Sequence, residues 1–167
     1  MSASTSIHAT KVNFPNQFTS IAGNLFVPPN AEKAKKYPAL VVGHPFGGVK
    51  EQTAGIYASK MAERGYVTLA YDASHQGESG GYPRDTENPA ERMGDIRCAI
   101  DYLTTLPTVD EERIGLLGIC ASGSYALGVA PTEIRAKAIA SVSLWDLGMM
   151  AREVACPIFC TSRTERV

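Results

Sequence analysis

The run Arg113-Ile114-Gly115-Leu116-Leu117-Gly118-Ile119-Cys120-Ala121-Ser122-Gly123-Ser124 constrains this chain more than any other segment. Ile114 to Ile119 reads as a short apolar strand. It ends in a turn of small residues, and Ser122 to Val129 continues as a helix-compatible stretch. A strand that stops abruptly and turns directly into a helix is the geometry of a nucleophile elbow, which stands one reactive side chain at the top of a sheet. Gly118 leaves room for the tight backbone, and Ala121 and Ser122 are small enough not to collide with the strand. The tip is Cys120, where most enzymes of this kind carry serine.

The remaining pattern places that elbow in an alternating α/β chain. Val12-Asn13-Phe14 and Ile21 to Val27 read as two antiparallel strands around the turn Pro15-Asn16. Ala39 to Val42 and Val67 to Tyr71 are short apolar runs suited to buried parallel strands. Gln52 to Arg64 reads as a helix stopped by Gly65. Pro89 opens a second helix, in which Met93, Ile96, Ile100 and Leu103 recur at helical spacing before Pro107. Ala138 to Val142 is one more strand. Strand–helix alternation of this kind predicts a mostly parallel sheet with helices on both faces.

Four blocks in this order resemble the α/β-hydrolase superfamily, specifically its dienelactone-hydrolase-like and polyketide-transferase-like branch. They are VVGHPFGGVKEQTAGIYA (41–58), YVTLAYDASHQGESGG (66–81), NPAERMGDIRCAIDYLTTLP (88–107) and RIGLLGICASG (113–123). The resemblance covers about residues 12–148 and implies a single α/β-hydrolase-like domain over residues 1–167, with a divergent tail at 149–167. It departs from the pattern at Ser122, where the second elbow glycine is expected; a serine there tightens a crowded turn.

Chemistry follows from the elbow. A thiol at a helix N-terminus faces the positive end of the helix dipole, which favours the thiolate. A thiolate attacks an acyl carbon to give a thioester. The negative tetrahedral intermediate then needs hydrogen-bond donors. In this fold they are the N–H after the nucleophile, here Ala121, and one from the loop after the third strand. That loop reads His44-Pro45-Phe46-Gly47-Gly48. Pro45 has no N–H, so Phe46 is the second candidate. Gly47 lets the backbone approach a substrate closely, and His44 is expected to orient the loop through hydrogen bonds.

Gly77-Glu78-Ser79-Gly80-Gly81 matches Gly-x-Ser-x-Gly literally, but it lies in a polar loop that cannot open a helix, so Ser79 is not the expected nucleophile. The triad order requires an acid and then a histidine after the nucleophile. His8, His44 and His75 all precede Cys120. His75 is read as a solvated rim-loop residue able to approach the site. Asp146 and Glu165 are possible acids, Asp146 more readily as a turn cap. Members of the family are commonly longer, so this chain is expected to be cut short, with the last strands missing; Cys156 to Thr161 could be a remnant strand or a divergent end.

Composition is ordinary for one globular domain: of 167 residues, 44% are hydrophobic and 20% charged, and the net charge is −1. The one basic run, Lys33 to Lys36, reads as a solvated loop, so no nucleic-acid partner is expected. Met1 to Thr10 lacks the features of a secretory signal, and no stretch has the length of a membrane span. Cys98, Cys120, Cys156 and Cys160 show no zinc spacing, and a cytoplasmic location with reduced thiols is expected. Cys98 reads as a packing residue. No metal or cofactor is implied. The expected partner is a small-molecule acyl substrate, with a homo-oligomer as a further option. Three readings result: hydrolase-like cleavage of an ester, thioester or lactone through Cys120; an acyl or polyketide transferase of the same fold; and a non-catalytic or shortened protein lacking the triad acid and histidine.

Overall fold

A computed structural model describes residues 7–32, 34–150 and 152–153. Six strands form one sheet in the order β1-β2-β4-β3-β5-β6. They are β1 (Thr10–Pro15), β2 (Ser20–Phe26), β3 (Tyr37–Gly43), β4 (Val67–Tyr71), β5 (Val109–Ile119) and β6 (Ala136–Val142). The hairpin β1–β2 is antiparallel, and β2 runs antiparallel to β4. From β4 through β3 and β5 to β6 the strands are parallel. Helices α1 (Thr53–Glu63), α2 (Pro89–Thr104) and α3 (Ala121–Val129) accompany them. This is the mostly parallel α/β-hydrolase sheet that the alternation predicts.

Each central strand sends alternate residues to opposite faces. Ala39, Val41, Ile114 and Leu116 join Ile96, Ile100 and Leu103 of α2 and Tyr125 and Val129 of α3 on one face. Val42, Leu117 and Ile119 meet Ala54, Ala58 and Ala62 of α1 on the other. The alanine stripe lets α1 lie close to the sheet, while the branched residues opposite each contribute about 1.5–3 kcal/mol of burial. Asn88 caps α2 by accepting the Ala90 N–H, with Pro89 at the first helical position.

Two boundaries differ from the sequence reading. Strand β5 begins at Val109, not Ile114, because Tyr37 pairs with Val109 ahead of the exposed residues Glu111 to Arg113. Helix α3 begins at Ala121, so the turn is confined to Cys120 itself. Cys98 packs half-buried against the core. The parallel strands all end on the same edge of the sheet, so the segments beginning at His44, Asp72, Cys120 and Ser143 converge there. That edge is where open α/β sheets bind ligands.

Candidate active site

Cys120 occupies the single residue between β5 and α3, at φ 55° and ψ −117°. A non-glycine residue at positive φ costs about 1–3 kcal/mol and persists only where its surroundings enforce it. Here three hydrogen bonds do so. The Cys120 N–H donates to the Val142 carbonyl at 2.9 Å. Its own carbonyl accepts from the N–H groups of Gly123 at 3.0 Å and Trp145 at 3.3 Å. Gly118 is obligatory, since a Cβ there would lie 2.3 Å from the Ser122 carbonyl oxygen, a backbone atom that cannot move aside.

Ser122, the departure from the glycine pattern, is 2% exposed. It fits because Gly43 faces it, and the expected crowding is relieved across the strand pair. Its hydroxyl donates to the His44 carbonyl and accepts from Arg92 Nη2 at 2.8 Å. The serine therefore ties the elbow to the loop after β3.

That loop turns sharply at Gly47, which has φ 62°, with the Gly48 N–H donating to the Pro45 carbonyl at 3.0 Å. The Phe46 N–H is taken by no acceptor among the described residues. The Ala121 N–H heads α3, where the first turn has no intrahelical acceptors to offer. His44 is fully buried. Its Nε2 accepts the Ala73 N–H at 3.1 Å, and its Nδ1 lies 2.7 Å from the Pro45 carbonyl, which assigns the proton to Nδ1. Burial, then the Arg92 charge, lowers its pKa to about 3. The ring is thus a neutral brace of the loop, the orienting role expected of it, and both nitrogens are committed to it.

Arg92 was not among the residues singled out in the sequence. Only 2% exposed, its guanidinium donates to the His44 carbonyl at 3.1 Å, to His44 Nε2 at 3.1 Å and to Ser122. It pairs with Glu87 at 3.5 Å and lies over the Tyr125 ring. Tyr125 in turn donates to Glu87 Oε1 at 3.0 Å. The available signal is periodicity: Arg92 lies on the core-facing stripe of α2 with Ile96, Ala99 and Leu103. A charge on such a stripe requires buried partners.

A second buried cluster fastens the loop after β4. Lys50 Nζ reaches Asp72 at 2.7 Å, Glu78 at 2.8 Å and Glu51 at 2.9 Å. Lys50 and Glu78 N–H groups also donate to the Asp72 carboxylate. The lysine bond, followed by one from Lys11, lowers the Glu78 pKa to about 2. Ser79 belongs to this cluster. It is 2% exposed, donates to the Asp72 carbonyl at 2.6 Å and accepts the Ala22 N–H at 2.8 Å. Its hydroxyl is a structural tie between β2 and the loop.

His75 is corrected in one respect. It sits in a turn as expected but is not solvated: its side chain is 13% exposed, and its nitrogens engage the Pro83 carbonyl and the Glu91 carboxylate. None of those bonds reaches Cys120. His8 lies ahead of β1. Asp146 Oδ1 accepts the Met149 N–H at 2.9 Å, so it caps the helical turn that follows. Cys156, Cys160 and Glu165 lie outside the described residues. Of the residues singled out in the sequence, the structure brings Cys120, Ala121, His44, Phe46 and Gly47 together and directs His75 elsewhere.

Known proteins resemble this chain in sequence and fold. Residues 19–157 match the X-Pro dipeptidyl-peptidase (S15 family). The chain belongs to that family of α/β-hydrolases. This S15-family chain is 51% identical over 145 residues to the uncharacterized protein YcjY of Escherichia coli, covering 85% of this chain and 47% of that protein. The crystal structure of hypothetical protein PA2218 from Pseudomonas aeruginosa superposes with a TM-score of 0.85 at 40% identity, over 92% of this chain and 48% of that one. Thiohydrolase aneE of Aspergillus aculeatus is 37% identical over 105 residues, covering 63% of this chain and 33% of that protein. The crystal structure of a dienelactone hydrolase-like promiscuous phosphotriesterase, P91 from metagenomic libraries, shares the fold with a TM-score of 0.70 at 22% identity, over 83% of this chain and 60% of that one. The chain spans about half the length of the first relatives it matches. Among the described residues, no helix is long and apolar enough to cross a membrane.

Proposed function

We propose that this S15-family protein performs hydrolase-like acyl chemistry on an ester, thioester or lactone, with Cys120 as nucleophile. The observation that carries this reading is the positive φ of Cys120 at a strand-to-helix turn, held by three backbone hydrogen bonds. Cys120 Sγ attacks the acyl carbon, and the carbonyl electron pair moves onto oxygen. The N–H groups of Phe46 and Ala121 are the donors for that oxyanion. Collapse of the intermediate expels the alcohol or thiol and leaves the acyl group as a thioester on Sγ. Water then releases the acid and restores the thiol. The thiohydrolase relative supports resolution by water; an acceptor alcohol or amine in place of water makes the same steps an acyl transfer. His44 is committed to the loop, and His75 to the Pro83 carbonyl and the Glu91 carboxylate.

The test is an intact-mass time course with p-nitrophenyl acetate, run beside Cys120→Ala. An acyl adduct that requires Cys120 supports the reading, and its lifetime separates hydrolysis from a stable acyl-enzyme. Ester consumption unchanged in Cys120→Ala would move the chemistry to another residue. Neither adduct nor consumption would remove acyl chemistry from this chain.

A further inference from the structure

Two aromatic rings meet above the elbow from opposite sides. Phe46 comes from the loop after β3, and Trp145 from the segment after β6. In the sheet, β5 lies between those two strands, so the pair arches over the strand end that carries Cys120. Their ring centroids are 6.4 Å apart with an interplanar angle of 77°, an edge-to-face contact. Trp145 is anchored to the elbow itself: its N–H donates to the Cys120 carbonyl, and its carbonyl accepts the Ser124 hydroxyl of α3.

Both rings remain open to solvent, Phe46 at 54% and Trp145 at 41%. Leu144 and Met149 are exposed beside Trp145 in the chain, at 43% and 49%. The nearest carboxylate in sequence, Asp146, is turned onto the Met149 N–H. A polar substrate group would find little to bind on such a surface, whereas an apolar one would remove aromatic area from water.

We infer that the Phe46–Trp145 arch is the acyl-group subsite of Cys120 and that it selects aryl or branched apolar acyl groups over acetyl. The inference rests on Cys120 as nucleophile. With the substrate carbonyl oxygen held by the Phe46 and Ala121 N–H groups, the acyl substituent on Sγ extends under the rings. In the acylation step the Sγ–carbon bond forms and the bond to p-nitrophenolate breaks. The phenolate leaves with the electron pair, and the thiol proton goes to solvent.

The test compares Cys120 acylation by p-nitrophenyl phenylacetate and p-nitrophenyl acetate, followed by intact mass. Each rate is divided by that of the same ester with a free small thiol, which removes intrinsic reactivity. The wild-type chain is expected to favour phenylacetyl by about tenfold, the scale of one well-placed apolar contact. Trp145→Ala and Phe46→Ala should each bring the ratio to within about twofold of the free thiol. Trp145 is the only tryptophan of the chain, so its fluorescence gives a second readout that needs no variant. Phenylacetylation should shift its emission to the blue, and acetylation should not. A corrected ratio near one in the wild type, with acylation proceeding and no fluorescence shift, overturns the subsite while leaving the nucleophile in place. Absence of acylation by both esters overturns both.

Discussion

Gly43 and Ser122 face one another across β3 and the start of α3 so closely that a Cβ on Gly43 would lie 2.7 Å from the Ser122 Cβ and Oγ. The glycine missing from the elbow has in effect moved to the neighbouring strand. The hydroxyl gained at 122 holds His44 and Arg92, and through them the relative placement of the two candidate oxyanion donors.

This pairing predicts strong coupling between the two positions. Gly43→Ala should cost about 1–3 kcal/mol by overpacking. Ser122→Gly should cost about 1–3 kcal/mol, because it removes the buried hydroxyl that bonds Arg92 Nη2 and the His44 carbonyl. The double variant should be more stable than the sum predicts by about 1 kcal/mol or more. Urea unfolding of the four proteins measures the cycle, and strict additivity would refute the pairing.

The strain at Cys120 predicts a trade between stability and chemistry. Cys120→Gly removes the positive-φ penalty that Cys120→Ala retains. The glycine variant should therefore be the more stable of the two by about 1 kcal/mol, and neither should form an acyl adduct. Equal unfolding midpoints for the two variants would show that the conformation is unstrained.

Ser79 makes the opposite prediction. Ser79→Ala leaves the Ala22 N–H without its buried acceptor and should destabilise the chain by about 1–3 kcal/mol. The Cys120 adduct should still form at a rate within about twofold of wild type. Loss of the adduct in a variant that still gives a native circular dichroism spectrum would restore Ser79 as a candidate nucleophile.

His44 sets a pH dependence. Its folded pKa of about 3 lies below the ordinary value of 6.5, so between those values the unfolded chain holds a proton that the folded ring refuses. Its contribution to stability is complete above pH 6.5 and is lost as pH falls through the window, by at most about 1.4 kcal/mol per pH unit. His44→Gln should flatten the slope of unfolding free energy between pH 6.5 and pH 4 by one proton. Parallel slopes for variant and wild type would refute this assignment.

The fold was largely legible because its signals are local. The alternation of apolar strands with helical stripes, Gly65 after α1 and Pro89 at the start of α2 each act within a few residues of themselves. The elbow was legible for the same reason, since Gly118, Cys120 and Ser122 form one short motif. Arg92 was not, because its partners Glu87, His44, Ser122 and Tyr125 come from different elements that only the folded sheet brings together. The start of β5 was obscured by Asp110 to Arg113, whose charge reads as loop; its pairing depends on Tyr37, far away in sequence. His75 reads as exposed by type, and only the path of the loop toward Pro83 and Glu91 shows that it is held.

Two of the three hydrogen bonds that enforce Cys120 come from Val142 and from Trp145, at and just beyond the end of β6. That strand is the outermost of the described sheet on its side, and none of its residues is fully buried. The positive-φ backbone of Cys120 is thus held in part by an exposed outer strand of the described sheet. Loosening that strand lets residue 120 relax while the interior stays intact. Heat should therefore relax Cys120 before it melts the molecule, so the strand acts as a fuse wired to the elbow.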